Sequence, residues 1–180
     1  AELHKINHVA TELGLRAPIS LRVNPDVDAQ THPYISTGLK GNKFGIAYHE
    51  VLKTYREASL LSQIDVVGID CHIGSQITTT APYLDALDKV LDLVEQLKKE
   101  GIVIHHLDLG GGLGIAYSDE TPPDITDFTN TLLNRVAERG FGHLDVVLEP
   151  GRSLVGNAGV LLTTVEYLKP GAEKNFCIVD

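Results

Sequence analysis

The chain has 180 residues, of which 43% are apolar and 22% charged, so it can bury a core and is neither disordered nor fibrous. Fifteen Lys and Arg against 24 Asp and Glu give a formal net charge of −9, which argues against nucleic acid or an anionic membrane as the partner. No apolar run approaches the roughly 18 residues of a membrane span, and two cysteines without a CxxC spacing favour a reducing, cytoplasmic compartment.

Helical and strand-like segments alternate along most of the chain. Helices are predicted at residues 2–13, 49–61, 82–100 and 128–140, and strands at residues 19–23, 64–71, 102–109 and 144–149. The clearest helix is 82–100, where Leu84, Leu87 and Leu91 recur at spacings of three and four. The strands are apolar at nearly every position, which is typical of parallel strands covered on both faces.

Two α/β architectures fit this alternation, a (β/α)8 barrel or a doubly wound open sheet. A full barrel takes about 250 residues, whereas the chain has four predicted strands of this kind, so it is either a small open sheet or about half a barrel. After Arg152 the pattern changes, since residues 159–168 and 175–180 are strand-like with no helix between them. We therefore predict that an antiparallel β segment begins near residues 156–159.

Each of the four predicted strands runs into polar or glycine-rich residues at its carboxyl end. These ends are Asn24-Pro25-Asp26, His72-Ile73-Gly74-Ser75-Gln76, Gly110-Gly111-Gly112 and Glu149-Pro150-Gly151-Arg152. Because ligands of parallel α/β folds bind at the carboxyl ends of the strands, we expect these four turns to form one site.

The residue types at these ends suit an anionic ligand. Three glycines after a strand allow backbone N–H groups to approach a phosphate, although a tight strand-to-helix turn explains them equally well. Arg152 offers a cationic fork for phosphate or carboxylate. Glu149 could accept a hydrogen bond from a protonated ring nitrogen, or could form an ordinary structural pair with Arg152.

Histidines admit several interpretations. His72 could be an acid/base, a ring stacked on a ligand, or a core histidine, while Ser75 and Gln76 could bind an anion or cap the following turn. His105 and His106 are adjacent on a strand and point to opposite faces, so they cannot share an ion even with Asp108 nearby. No metal site is predicted.

Residues 24–45 form a long segment with little periodicity. It carries His32, Tyr34, Lys40 and Lys43. Loops of this length in compact domains are usually functional or disordered, and we interpret this one as a lid over the site.

Four segments, in chain order, carry a resemblance to a known family: RVNPDVDAQTHPYISTGLKGNKFGI, GIDCHIGSQ, HLDLGGGLGI and VLEPGRSLV. With them the chain resembles diaminopimelate decarboxylases, which are pyridoxal-phosphate (PLP) enzymes with the alanine-racemase-like barrel. The resemblance implies an α/β fold, a partial TIM (β/α)8 barrel, in which residues 1–157 form the second half of the PLP-binding barrel. Residues 158–180 would begin the C-terminal β domain.

The resemblance also implies roles for individual residues. His72 would lie against the PLP ring, and Glu149 would pair with the ring nitrogen, so these two are the implied catalytic residues. The implied phosphate-side residues are Ser75, Gly110, Gly111, Gly112, Pro150, Gly151 and Arg152, and Arg152 would also reach the substrate carboxylate. The implied reaction converts the amino acid meso-2,6-diaminopimelate to L-lysine and CO2, in a homodimer.

The resemblance places the lysine that binds PLP covalently upstream of Ala1, and further substrate contacts beyond Asp180. Because Met is also absent at position 1, we expect the chain to be a piece of a longer enzyme and to be inactive alone. The alternatives are a non-catalytic PLP-binding or regulatory homologue, a related decarboxylase acting on arginine, ornithine or a carboxylated polyamine, and an open-sheet phosphate binder without PLP.

Overall fold

A computed structural model describes residues 1–28 and 43–180. Within these residues, five strands form one parallel sheet in the order β2-β1-β3-β4-β5. The strands are β1 (Ala17–Asn24), β2 (Ile46–Ala47), β3 (Ile64–Cys71), β4 (His106–Asp108) and β5 (Asp145–Val147). The helices are α1 (Glu2–Leu13), α2 (Val51–Ser59), α3 (Ala81–Lys99), α4 (Ile125–Glu138) and the single turn α5 (Arg152–Val155).

The predicted helices agree with the structure to within a few residues, whereas three predicted strands are longer than those observed. One of them is the strand-like segment 159–168, which forms a strand only from Val165 onward. Helix α3 begins with Pro82 in its first turn and ends with Lys98 and Lys99 in its last, as the dipole favours. The strand predicted at 102–109 forms only at β4, because the N–H of Ile102 donates to the carbonyl of Leu97 and so belongs to the end of α3. The strand predicted at 144–149 likewise forms only at β5.

One face of the sheet is covered by helices and forms the core. Ile69 and Leu107 on this helix-covered face are fully buried, and they belong to the same cluster as Leu87, Leu91 and Leu97 of α3. Val51 and Tyr55 of α2 join the cluster, and the Tyr55 hydroxyl donates to the carbonyl of Gly68 at 2.8 Å. Amphipathic helices thus bury their apolar stripe against alternate residues of each strand.

The opposite face, called the inner face below, is polar, and the expectation that both faces are apolar and covered is wrong for the described residues. Cross-strand neighbours in one register row are Arg22, Asp70 and Asp108, followed by Val147. Val147 is 40% exposed. Successive residues of a strand point to opposite faces, so each strand contributes apolar residues to the helix-covered face and polar residues to the inner face.

Residues beyond α5 form a separate two-stranded sheet. Strands β6 (Val165–Lys169) and β7 (Phe176–Val179) pair in antiparallel fashion, which confirms the predicted change of pattern. The boundary after residue 157 stays a prediction. Cys71 is buried and Cys177 exposed, and both are free thiols. No helix in the described parts of the chain combines the length and apolar character needed to cross a membrane.

Candidate active site

Three of the four predicted turns are joined to one another at the carboxyl edge of the sheet. The Glu149 N–H donates to the carbonyl of Gly110 at 2.9 Å, which joins the turn after β5 to the turn after β4. The Ile77 N–H donates to the carbonyl of Gly112 at 2.9 Å, which joins the turn after β3 to the same glycines. The expectation that these turns share one rim of the sheet therefore agrees with the geometry.

The glycines are required by the close approach of these turns. A Cβ on Gly111 would clash with the carbonyl oxygen of Glu149, and one on Gly112 would clash with that of Gly74. Gly112 also has a φ of 98°, which disfavours other residues. The buried Tyr83 hydroxyl donates to the carbonyl of Gly111 at 3.1 Å and fixes the turn from the side of α3. The glycines are thus needed for the close packing of these turns, which is compatible with a cradle, but they do not form a strand-to-helix turn, because α4 begins only at Ile125.

His72 follows β3 and is half-buried beside the glycines. Its Nδ1 accepts a hydrogen bond from the Gly111 N–H at 3.3 Å, which leaves the proton of a neutral ring on Nε2. Burial lowers the pKa of His72, and the nearby Arg22 guanidinium lowers it further, while Glu149 opposes the shift. The ring is therefore held neutral and fixed in orientation at the edge of the sheet.

Arg152 lies next to Ser75, and Ser75 is three residues after His72 in the turn that follows β3. Its Nη2 donates to the Ser75 hydroxyl at 3.3 Å, and its Nη1 donates to the Tyr117 hydroxyl. The guanidinium also lies over the Tyr117 ring, 5.5 Å from the centroid. The Glu120 carboxylate accepts the N–H groups of Tyr117 and Ser118 and so holds this loop.

Glu149 completes the arrangement on the inner face. Glu149 is exposed, and one of its carboxylate oxygens lies within 4.8 Å of oxygens from Asp70 and Asp108. Asp108 also accepts the Gly110 N–H at 2.8 Å. The predicted exclusion of a metal concerned His105, His106 and Asp108; Asp108 belongs to this carboxylate cluster, whereas the two histidines do not.

The first predicted turn is tied to a helix. Lys89 of α3 donates to the carbonyls of Pro25 and Asp26 at 3.0 and 2.7 Å. Most of the predicted lid, residues 29–42 with His32, Tyr34 and Lys40, lies outside the described residues. The described end of that segment includes Lys43, whose ammonium lies 5.0 Å from the Phe44 ring centroid.

Sequence reasoning missed several residues of this region. Tyr83 and Tyr117 had no motif to mark them, and Asp70 lies in the segment GIDCHIGSQ but was given no role. Gln76 was interpreted only as a cap or an anion ligand. The Gln76 amide donates to the Ile115 carbonyl at 2.6 Å and accepts the Ile115 N–H at 3.2 Å, so it fastens the turn after β3 to the loop after the glycines. A φ of 58° at Gln76 is part of that turn.

Comparison with known proteins places this site in a family. Residues 1–156 match the pyridoxal-binding domain of pyridoxal-dependent decarboxylases, and the chain belongs to this family.

More specific relatives are diaminopimelate decarboxylases. The chain is 58% identical over 179 residues to the diaminopimelate decarboxylase of Pseudomonas aeruginosa, covering 99% of this chain and 42% of that protein. It is 54% identical over 180 residues to that of Haemophilus influenzae, covering 100% and 43%. The chain thus spans less than half the length of these relatives.

A solved structure agrees with the fold. The crystal structure of Helicobacter pylori diaminopimelate decarboxylase complexed with L-lysine matches with a TM-score of 0.84 and 40% identity, over 99% of this chain and 44% of that one. This match confirms the predicted partial barrel of the alanine-racemase type followed by the first strands of a small β sheet.

Proposed function

We propose that this chain is part of a PLP-dependent carboxy-lyase that converts meso-2,6-diaminopimelate to L-lysine and CO2. The observation that carries the proposal is the meeting of three turns at one edge of the sheet. There, Gly111 contacts His72, Arg152 contacts Ser75, and Glu149 lies on the same inner face.

The donors present fit a phosphorylated pyridine ring. The Arg152 guanidinium and the Ser75 hydroxyl are hydrogen-bond donors, as a phosphate dianion requires. The N–H groups of Gly110 and Gly111 already donate to Asp108 and His72, so the N–H of Gly112 is the donor that the glycine turn would offer to the phosphate. Gly110, Gly111, Gly112, Pro150 and Gly151 are assigned to the same phosphate side. Because a Cβ at position 111 would clash with the Glu149 carbonyl oxygen, only glycine fits at this position of the turn.

The two implied catalytic residues suit the ring end of the cofactor. Glu149 offers an anionic acceptor that stabilises a protonated ring nitrogen. His72 presents a neutral imidazole whose orientation is fixed by the Gly111 N–H, so it can pack against the ring face without adding a positive charge. When bound, PLP supplies the electron sink that accepts the charge left by loss of CO2. Arg152 is also assigned to the substrate carboxylate.

The alternatives are less favoured. Relatives at 54–58% identity are named diaminopimelate decarboxylases, which favours this substrate over arginine, ornithine or a carboxylated polyamine. We further propose that the full-length protein is a homodimer, as the resemblance implies. We also propose that it resides in the reducing cytoplasm, which is consistent with its two free thiols. Sedimentation of the full-length protein tests the dimer.

Glu149→Gln in the full-length protein tests the proposal. We expect kcat for CO2 release from meso-2,6-diaminopimelate to fall about 100-fold, because the ring nitrogen loses its anionic partner, while the PLP dissociation constant changes less than about threefold. Glu138→Gln, on the exposed surface of α4, is the matched control.

Two results contradict the proposal in different ways. Wild-type turnover in the Glu149→Gln variant would remove the ring-nitrogen assignment. No PLP-dependent CO2 release by the wild-type protein would remove the reaction itself, and release from ornithine or arginine instead would change the substrate.

A further inference from the structure

The guanidinium of Arg152 is oriented by neutral groups. Its Nη2 donates to the Ser75 hydroxyl at 3.3 Å, and its Nη1 donates to the Tyr117 hydroxyl. Among residues 1–28 and 43–180, Arg152 forms no ion pair, so the structural pair with Glu149 that the sequence left open is not present there. The positive charge of Arg152 is therefore not neutralised by these residues and is available to an anionic ligand.

Tyr117 contacts Arg152 in two ways. Its hydroxyl accepts the hydrogen bond, because a guanidinium has donors only. Its ring also lies against the guanidinium, 5.5 Å from the ring centroid. Since Tyr117 is 64% exposed, burial of apolar surface does not explain where its side chain lies. A phenol can hold a cation in place without cancelling its charge, which a carboxylate at the same position would do.

The loop that carries Tyr117 is fastened on both sides of this residue. Before it, the Gln76 amide donates to the Ile115 carbonyl at 2.6 Å and accepts the Ile115 N–H at 3.2 Å. A Cβ added to Gly156, just after α5, would lie 2.6 Å from Cδ1 of Ile115, so the buried Ile115 side chain packs against the end of α5. The Glu120 carboxylate accepts the Tyr117 N–H at 2.9 Å. The backbone at Tyr117 is therefore held from three directions.

These contacts close a ring around the proposed phosphate side. It runs from Ser75 to its neighbour Gln76, then to Ile115, Tyr117 and Arg152, and returns to Ser75. Arg152 has a long side chain with several rotatable bonds, and ordering such a side chain during binding costs affinity. A guanidinium that is already held beside the Ser75 hydroxyl avoids most of that cost.

We propose that Tyr117 is a positioning residue that holds the Arg152 guanidinium beside Ser75, ready for the phosphate of PLP. It acts only through Arg152, and no covalent bond changes at Tyr117. The inference rests on the proposed phosphate site and adds a residue from outside the predicted turns.

PLP and pyridoxal, which lacks the phosphate, separate this role from a general effect on the loop. In the full-length protein, Tyr117→Leu should raise the PLP dissociation constant about tenfold, because it removes both contacts with Arg152. Tyr117→Phe keeps the ring and should raise it only about threefold. The pyridoxal dissociation constant should change less than about twofold in both variants. Asp119→Asn, an exposed position of the same loop, is the control.

A double-mutant cycle tests whether Tyr117 acts through Arg152. Adding Tyr117→Leu to Arg152→Ala should change the PLP dissociation constant less than about twofold, because the group that Tyr117 positions is already absent. A full tenfold effect in that background would overturn the inference, as would equal weakening of PLP and pyridoxal. An unchanged PLP dissociation constant with a raised KM would also overturn it, since Tyr117 would then serve the substrate carboxylate. Circular dichroism and thermal melting establish that each variant is folded.

A crystal structure of the cofactor-free, full-length Tyr117→Leu protein gives a readout without any ligand. We expect the Arg152 guanidinium to lie more than about 3.5 Å from the Ser75 hydroxyl in this variant. A guanidinium that stays within hydrogen-bond distance of Ser75 would overturn the inference. A wild-type protein that binds PLP but releases no CO2 from meso-2,6-diaminopimelate would contradict the proposed function alone, because none of these measurements requires turnover.

Discussion

The two faces of the parallel sheet differ in what holds them together. On the helix-covered face, Ile69 and Leu107 are fully buried in an apolar cluster. On the inner face, the same two strands present Asp70 and Asp108, which are only partly buried and belong to a carboxylate cluster. A single residue of offset along a strand therefore separates residues that form the apolar core from charged residues that lie beside Glu149 of the proposed cofactor site. Substitutions on the helix-covered face are therefore expected to lower stability, and substitutions where the inner face meets the turns are expected to lower activity.

The largest effect is expected where the inner face meets the turns. Gly111→Ala should lower PLP-dependent activity of the full-length protein more than about 100-fold, because its Cβ would push the turn away from Glu149. The measurement is kcat together with PLP affinity. Gly142→Ala is the control, since a Cβ there would make only an ordinary 3.5 Å contact with Ala137. Equal activity of the two variants would contradict a rigid, sterically closed turn.

The next effect concerns stability of the helix-covered face. Leu107→Ala should lower the free energy of unfolding by about 3 kcal/mol, because it leaves a cavity in a closely packed core. Val147→Ala, on the half-open inner face of the neighbouring strand, should cost under about 1 kcal/mol. Chemical denaturation measures both. A Val147→Ala loss as large as that of Leu107→Ala would show that the inner face is packed like the other.

The smallest effect is the pH dependence of stability at Asp70. Its pKa is raised in the folded state to about 6 from an ordinary 3.8, so the folded protein binds more protons between these values. Wild-type stability should therefore fall as pH rises through this window, and the penalty should be fully present above pH 6. Asp70→Asn should remove it and stabilise the protein by about 1 kcal/mol at pH 8, after allowance for solvent screening.

Denaturation of wild type and Asp70→Asn from pH 4 to pH 8 measures this difference, with Asp65→Asn, an exposed position of the same strand, as the control. A difference that does not grow with pH would contradict the raised pKa of Asp70 in the folded state.

The helices and the order of elements could be predicted because each leaves a local pattern. Helix α3, for example, has leucines at helical spacing, proline in its first turn and lysines in its last. The glycine turn and Arg152 could be selected because they follow predicted strands. Strand lengths were less predictable: the apolar run before β4 looks like a strand, but its first residue packs as the end of α3.

Residues whose importance depends on register could not be found in this way. Asp70 stands in an apolar run, and nothing local indicates that Arg22 and Asp108 will be its neighbours, 48 and 38 positions away. Tyr117 reaches Arg152 from a loop 35 residues earlier in the chain. Such contacts are set by how strands pair and loops pack, which no local sequence pattern specifies.

A crystal structure of the full-length protein with PLP is the most direct test of where the cofactor lies. We expect the phosphate to lie within about 3.2 Å of the Ser75 hydroxyl, the Arg152 guanidinium and a backbone N–H of the glycine turn, with the ring nitrogen at the same distance from a Glu149 oxygen. A phosphate bound away from Gly111 and Arg152, or a ring nitrogen facing any group other than Glu149, would contradict it.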